Sequence, residues 1–418
     1  MENNKTFARV EDSPNGNPRF VKTTQKDHGF LGGFYQDVRL EEISPNRIML
    51  HTPMGQYHRA GDTLVMTFAT REYPGIFVCD SADVLLSDIH LYHTAAMGVI
   101  AQTTQNITLE QVIAKPRIGS GRFLCTNADA THFVNCRGFV KHIGCTYEQM
   151  MDDAANVHGI YHLYQGQESD GTLQLGFGHY QQKGVQPYRT GDRVAVIDST
   201  TNQIRATGQV VRAWLDSTDR LMLKLDVDVP PPGAHDVVEN LSTAPDVYFE
   251  ACGCGYNRPR GFLISSAGHV VVDSCRFYNM NQGIQLSGEM KDWYECGCVK
   301  DVTIRNCHFD NSAYAGGVAI YCNPMLRCTC NPMLRCTDTI FNGTVVIDNN
   351  TFTQATPRMA HIESCQEVVF TNNTFCANVR LPNHPAHGLD GSGVTFANCQ
   401  NITYQTPNQK TALDLPID

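Results

Sequence analysis

Positive charge is scarce in this chain. Its 32 Lys plus Arg stand against 42 Asp plus Glu, for a formal net charge of −10, and no basic run occurs anywhere. Nucleic acids and anionic membrane surfaces are held by clustered cations, so neither is an expected partner; a neutral, polar one fits better. Long apolar runs are missing too. No stretch approaches the roughly 20 apolar residues of a membrane span, and the opening MENNKTFARVEDSPNGN has neither a charged segment leading into an apolar one nor a cleavage site. The 17 cysteines lack zinc spacing: Cys252-Gly-Cys254 and Cys296-Gly-Cys298 miss the two-residue gap of a zinc knuckle. No metal and no other cofactor is expected.

What the chain has instead is repetition, and a repeat period decides architecture before any single residue does. HVVVDSCRF (269–277), DVTIRNCHF (301–309), TVVIDNNTF (344–352), EVVFTNNTF (367–375) and GVTFANCQN (393–401) share a template: apolar, x, apolar, x, Asn or Ser, Cys or Asn, x, Phe. Alternation with period two marks a strand with one buried face, and its return every 23 to 43 residues marks one strand per coil of a solenoid. DVLLSDIHLY (83–92), NITLEQVIA (106–114) and THFVNCRGF (131–139) carry the pattern upstream at steps of about 23 to 25 residues. The repeated Cys and Asn read as stacked ladders inside the solenoid, not as ligands or disulfides.

The expected fold is therefore all-β: a right-handed parallel β-helix (β-solenoid) with small antiparallel β-barrels inserted. The expected divisions are a disordered or non-native start over 1–18, a barrel-like domain over 19–78, and a first β-helix part over 79–162 that holds the aspartates. An inserted barrel over 163–249, a second β-helix part over 250–405 and a tail over 406–418 follow. One anomaly is a perfect tandem copy of CNPMLRCT, at 322–329 and again at 330–337, expected to bulge from one coil.

In a β-helix, residues one coil apart in sequence lie about 4.8 Å apart in space. Asp129 and Asp152 are 23 residues apart, one coil by the upstream step, so Asp129 should stack near the Asp152-Asp153 pair. Like charges that close cannot all ionise cheaply, so at least one carboxyl keeps its proton beside an ionised neighbour, as glycosidic bond cleavage requires. An Asp ladder or a solvated turn is the bland alternative. His132, Asn156 and His158 add donors for sugar hydroxyls nearby. Downstream, Arg260, Glu289, Trp293 and Glu295 lie at strand ends, where loops overhang a cleft. Trp293 is one of only 2 tryptophans; flanked by carboxylates, it suits the apolar face of a sugar ring, or else caps the solenoid.

The segment Cys145-Thr-Tyr-Glu-Gln-Met-Met-Asp152-Asp153-Ala-Ala-Asn156-Val-His158-Gly159, preceded by Thr-Asn127-Ala-Asp129, resembles glycoside hydrolase family 110. So does Ser287-Gly-Glu289-Met-Lys-Asp-Trp293-Tyr-Glu295-Cys-Gly; the resemblance runs from about residue 20 to 400. It implies an exo-acting, inverting α-1,3-galactosidase of the type that removes the terminal galactose of the blood-group B antigen. Asp152 and Asp153 would be the catalytic aspartates and Asp129 the third acidic residue. Asn156, His158, Arg260, Trp293 and Glu295 would contact substrate, and Asn127, His132 and Glu289 are further candidates for substrate contact by position. The implied partner is a terminal α-galactosyl glycan, the implied location secreted or periplasmic, and a homo-oligomer is compatible with it. Three rivals stay open: a polygalacturonase-like hydrolase, whose Arg-Ile-Lys is missing here; a calcium-dependent polysaccharide lyase, with the aspartates as cation ligands; and a β-helix that only binds glycans.

Overall fold

A strand that must hand over to the next face of a solenoid needs a sharp bend, and the repeat template supplies it. Asp88, Ser274, Asn306, Asn349 and Asn372 each follow a strand in left-handed backbone, with φ of 53, 55, 57, 54 and 54°. Asn and Asp are the non-glycine residues that tolerate this region best. The residue after the bend turns inward, placing Cys145, Cys252, Cys275 and Cys307, then Asn350 and Asn373, in one buried column. The thiols donate to backbone carbonyls, Cys307 to Arg305 at 3.1 Å and Cys275 to Asp273 at 3.3 Å. Asn350 donates to the carbonyls of Ile304 (3.0 Å) and Asp348 (3.1 Å) and accepts the Cys307 N–H at 2.9 Å.

The computed structural model describes residues 7–12, 18–21, 39–45, 47–51, 64–66, 71, 73–257, 259–278, 280–286, 288–290, 292–312, 317–324, 340–354, 357–378 and 393–411. Three parallel sheets wrap one interior. The sheet that bears the site stacks Ile76–Cys79, Val99–Gln102, Thr131–Val134, Ala155–Ile160, Arg260–Ile264, Gln282–Leu286, Ile320–Cys322, Ala360–Glu363 and Val394–Ala397 in that order. The second runs from Ala82–Ser87 to Ile402–Tyr404 and the third from His90–Leu91 to Asn408–Thr411. The interior phenylalanines stack coil on coil, Phe277 on Phe309 at 4.8 Å and Phe309 on Phe352 at 4.9 Å between ring centroids. Burying one such ring contributes roughly 1.5–3 kcal/mol, against about 1 kcal/mol net for a backbone hydrogen bond. Each ring therefore contributes more than any one ladder bond, and the ladder fixes register.

Between the first and second strands of the fourth coil the chain leaves to form a closed antiparallel barrel. Its strands run from His162–Gln167 to Asp236–Asn240, around Tyr164, Leu173, Leu175, Val194, Val196, Leu221, Leu223 and Val238. Among the described residues no helix is long and apolar enough to cross a membrane.

Several expected divisions shift. The barrel closes at Asn240, and Asp246–Glu250 is already a solenoid strand paired with Arg137–Ile143. Ile76–Cys79 belongs to the first coil, and Asn408–Thr411, placed in a tail, pairs with Thr374–Ala377. Phe7–Asp12, in the expected non-native start, pairs with Pro18–Val21 and with Leu64–Met66. Much of the expected 19–78 barrel and most of the duplicated CNPMLRCT lie outside the described residues. Two template matches sit on the wrong face. THFVNCRGF and GVTFANCQN begin in the site-bearing sheet, and the second-sheet partner of Ile107 is Val140. The reason is that the corner out of the site-bearing sheet uses the same device, a left-handed Asn135 or Asn398 before an inward Cys136 or a Cys399 packed against the core.

Candidate active site

Parallel register assembles the aspartates. Thr131 pairs with Ala155, so the turns entering these two strands lie side by side, and Asp129 faces Asp153. The Ala130 N–H donates to the Asp153 carbonyl at 2.9 Å, and the Asp153 N–H donates to Asp129 Oδ1 at 3.2 Å. One oxygen from each of Asp129, Asp152 and Asp153 falls within 4.8 Å of the others, and all three residues are buried. The next coil pairs Ala155 with Phe262, which sets Arg260 beside Asp153; its Nε donates to Asp153 Oδ1 at 2.8 Å. Asn257 holds the approach by donating to the Asp152 carbonyl at 3.1 Å. Asp152 itself is paired with Arg71.

Three carboxyl groups and two guanidiniums leave one carboxyl without a counter-charge. Burial, then the charge of Asp152, pushes Asp129 up to about 7. Burial raises Asp153 well above the usual carboxylate range, against the pull of Arg260. Burial alone would lower Arg260, but the Asp153 carboxylate holds it up. Asp129 Oδ2 lies 2.8 Å from His132 Nδ1, and His132 Nε2 lies 3.0 Å from His158 Nε2. Burial lowers both imidazoles. A hard cation such as calcium takes 6–8 oxygen ligands. Here the carboxylates are engaged by Arg71, Arg260 and His132, so the set suits acid–base chemistry better than coordination.

A cavity of about 470 Å³ opens over this cluster, within the roughly 300–1,000 Å³ of small-molecule sites. Asp129, His132, Asp152, Asp153, Asn156, His158, Arg260, Glu289, Trp293 and Glu295 all line it. Asn127 is not among its lining residues, and its N–H donates to the Ala96 carbonyl at 3.2 Å. Asn156 Nδ2 donates to Glu295 Oε1 at 3.3 Å, and Glu295 Oε1 is 3.6 Å from His158 Nε2. Glu289 accepts the N–H groups of Asp292, Trp293 and Tyr294, so its carboxylate shapes the tryptophan turn.

Three wall residues carry no signal in the repeat. Arg71 lies far upstream, with its guanidinium 5.9 Å from the Trp293 ring. His179 and Gln182 come from the barrel. The His179 ring packs on Trp293 at 4.5 Å, and Gln182 Nε2 donates to the Trp293 carbonyl at 2.6 Å. The insertion thus reaches back to hold the aromatic wall of a site built by the solenoid.

Fold and site together define a parallel β-helix protein with a buried, arginine-balanced aspartate trio in a side cavity. Residues 240–401 match the family described as right handed beta helix region. An alpha-1,3-galactosidase A of Bacteroides fragilis is 31% identical over 346 residues, 82% of this chain and 56% of that protein. One of Shewanella woodyi is 30% identical over 375 residues (87% and 59%), and an alpha-1,3-galactosidase B of Bacteroides thetaiotaomicron 27% over 370 (86% and 59%). The chain is similar to these proteins over most of its own length, consistent with its resemblance to glycoside hydrolase family 110. It spans 56 to 59% of the length of these curated relatives. Among solved structures, a Family 28 exopolygalacturonase of Yersinia enterocolitica aligns with a TM-score of 0.41 and 11% identity, covering 79% of this chain and 43% of that one.

Proposed function

We propose that the protein is an exo-acting, inverting α-1,3-galactosidase that releases terminal galactose from blood-group B-like or linear α-galactosides. The observation that carries this reading is the trio itself, three carboxyls within 4.8 Å and two guanidiniums, in a cavity walled by an aromatic platform. Kinship with proteins named alpha-1,3-galactosidase supports the substrate class. In the proposed reaction one carboxylic acid protonates the leaving oxygen while a carboxylate activates water on the opposite face of the ring. The trio holds one proton among carboxyl groups balanced by Arg71 and Arg260, so a single cluster offers both an acid and a base. The 4.8 Å spacing is shorter than the roughly 6.5–9.5 Å common between inverting carboxyl groups, so inversion is carried by the family resemblance.

The test is release of free galactose from α-1,3-galactobiose and the B-trisaccharide, with the anomer followed by NMR. β-Galactose as first product supports the reading; α-galactose overturns inversion, and no release from folded protein overturns the activity.

Two further outcomes are expected. Loss of the trio's proton removes the acid, so kcat/KM should fall on the alkaline side with an apparent pKa of about 7, a value that belongs to the coupled cluster. An alkaline limb confined to pH values above about 9, outside the range of a carboxyl held at such a value, would refute it. Trp293→Ala removes a platform that is 38% exposed, together with its ring contacts to His179 and Arg71. KM should rise about tenfold or more, the equivalent of roughly 1.4 kcal/mol, with kcat changed far less; equal losses in kcat and kcat/KM would assign the ring to the transition state instead.

A further inference from the structure

We propose that Asp129, His132 and His158 form a proton relay that stores one proton beside the aspartate trio and passes it toward Glu295 at the edge of the cavity. The inference rests on the hydrolase reading and extends it to residues that do no bond-making themselves.

Counting hydrogens carries the argument. His158 Nδ1 lies 2.7 Å from the Gly159 carbonyl, which only accepts, so that nitrogen bears a hydrogen. The Nε2 atoms of His158 and His132 are 3.0 Å apart and share one hydrogen between them. His132 Nδ1 and Asp129 Oδ2, 2.8 Å apart, share another. Three contacts therefore hold three hydrogens. Two neutral imidazoles and a carboxylate own only two. Wherever the third resides, the chain as a whole is neutral and carries one proton more than its separate parts would at neutral pH.

That proton has a path. If it sits on Asp129, it passes to His132 Nδ1; His132 then gives its Nε2 hydrogen to His158 Nε2. The resulting His158 cation faces Glu295 Oε1, 3.6 Å from that same nitrogen. Every transfer moves one proton along an existing contact and leaves no heavy-atom bond changed. Glu295 favours a cation on either imidazole, Asp152 favours one on His132 and Asp129 one on His158, and Arg71 opposes one on His132; Arg260 and Asp153 act at the Asp129 end of the relay. An inverting turnover ends with the acid stripped of its proton and the base holding the one taken from water. The total is unchanged but sits on the wrong oxygen. A relay from Asp129 to the rim lets the base pass its proton out through Asp129, while the acid regains one from water in the cavity. His132 and His158 are thus positioning residues, and Glu295 is the outlet.

The test compares the full chain with His158→Gln, which keeps a donor and an acceptor but cannot pass a proton, and with His158→Ala. The expected result is kcat lower by about tenfold to a hundredfold with KM little changed, a displaced alkaline limb, and recovery of the Ala variant by added imidazole. A parental pH profile and kcat in His158→Gln, or a loss that imidazole leaves untouched, overturns the relay. A second arm needs no turnover. Imidazole ¹⁵N NMR should show a protonated His158 Nδ1 and a His132 whose Nδ1 environment survives Asp129→Asn, which still donates, but not Asp129→Ala. An unprotonated His158 Nδ1 overturns the relay. A parent chain that releases no galactose overturns the hydrolase reading instead, and the relay is then decided by the ¹⁵N pattern.

Discussion

Asp152→Asn will keep binding α-galactosides and turn them over roughly 10²–10⁴-fold more slowly, the loss expected when a group that transfers a proton is replaced by one that does not. The substitution is nearly isosteric and keeps a carbonyl oxygen facing Arg71, so the cavity wall stays in place. What disappears is charge and titration. Asp153→Asn should match it in rate but differ in stability, because Asp153 is 1% exposed and bonded to Arg260 through Nε, whereas Asp152 is 7% exposed and paired with Arg71. Steady-state kinetics with galactobiose, alongside calorimetric titration of galactose, separates the two quantities. Turnover within tenfold of the parent in both variants would remove these aspartates from the chemistry and return the glycan-binding reading to the front.

Arg260→Met is expected to be the most destabilising single change at the site. It strips the counter-charge from a carboxylate that is 1% exposed, and breaking a buried pair from one side costs roughly 3–5 kcal/mol. The cost is pH-dependent. Without Arg260 the folded-state pKa of Asp153, already raised by burial, rises further above its unfolded value. Stability is then fully present below the unfolded pKa of about 4 and is lost as pH rises through the folded one. Thermal unfolding should accordingly show a deficit against the parent that is small near pH 4 and large near pH 8. Adding Asp153→Asn should recover much of the deficit while leaving the protein inactive. A deficit independent of pH would mean that Arg260 matters for its packing and not for its charge.

Much of this architecture is legible in the chain because period-two alternation and the left-handed corner residue both leave marks on it. Val270-x-Val272-x-Ser274-Cys275-x-Phe277 states a strand, a bend, a ladder position and a core ring in eight residues. The same marks cannot say which face a strand joins, since Asn135-Cys136 at one corner looks like Asn306-Cys307 at another; THFVNCRGF and GVTFANCQN carry the template yet begin in the site-bearing sheet. Asp129, Asp152 and Asp153 could be found because coil stacking turns sequence period into contact, and Arg260 because it stands at a strand end. His132, Asn156 and His158 followed because they share strands or turns with them. Arg71, His179 and Gln182 could not, since they arrive from a distant segment and from the barrel, where no register connects them to the trio. Asn127 lies two residues before Asp129 in the chain, yet it is not among the cavity-lining residues.

Excursions in this solenoid are not spread evenly. The bend between the second and third sheets takes two residues in each of eight successive coils, from Asp88-Ile89 to Asn372-Asn373, because its inward member belongs to the buried column. The corner between the site-bearing sheet and the second sheet is where the barrel leaves, between Ile160 and Asp246, and where the tryptophan turn leaves, between Leu286 and Asp301. The duplicated octapeptide begins at Cys322, at that same corner of a later coil. Lineages can therefore lengthen or exchange the rim of the cavity at little cost to the stacked interior, since a longer surface excursion adds only slowly to the entropy of closure. Substrate preference is free to diverge along one edge of the helix while the aspartates beneath it stay where the register puts them.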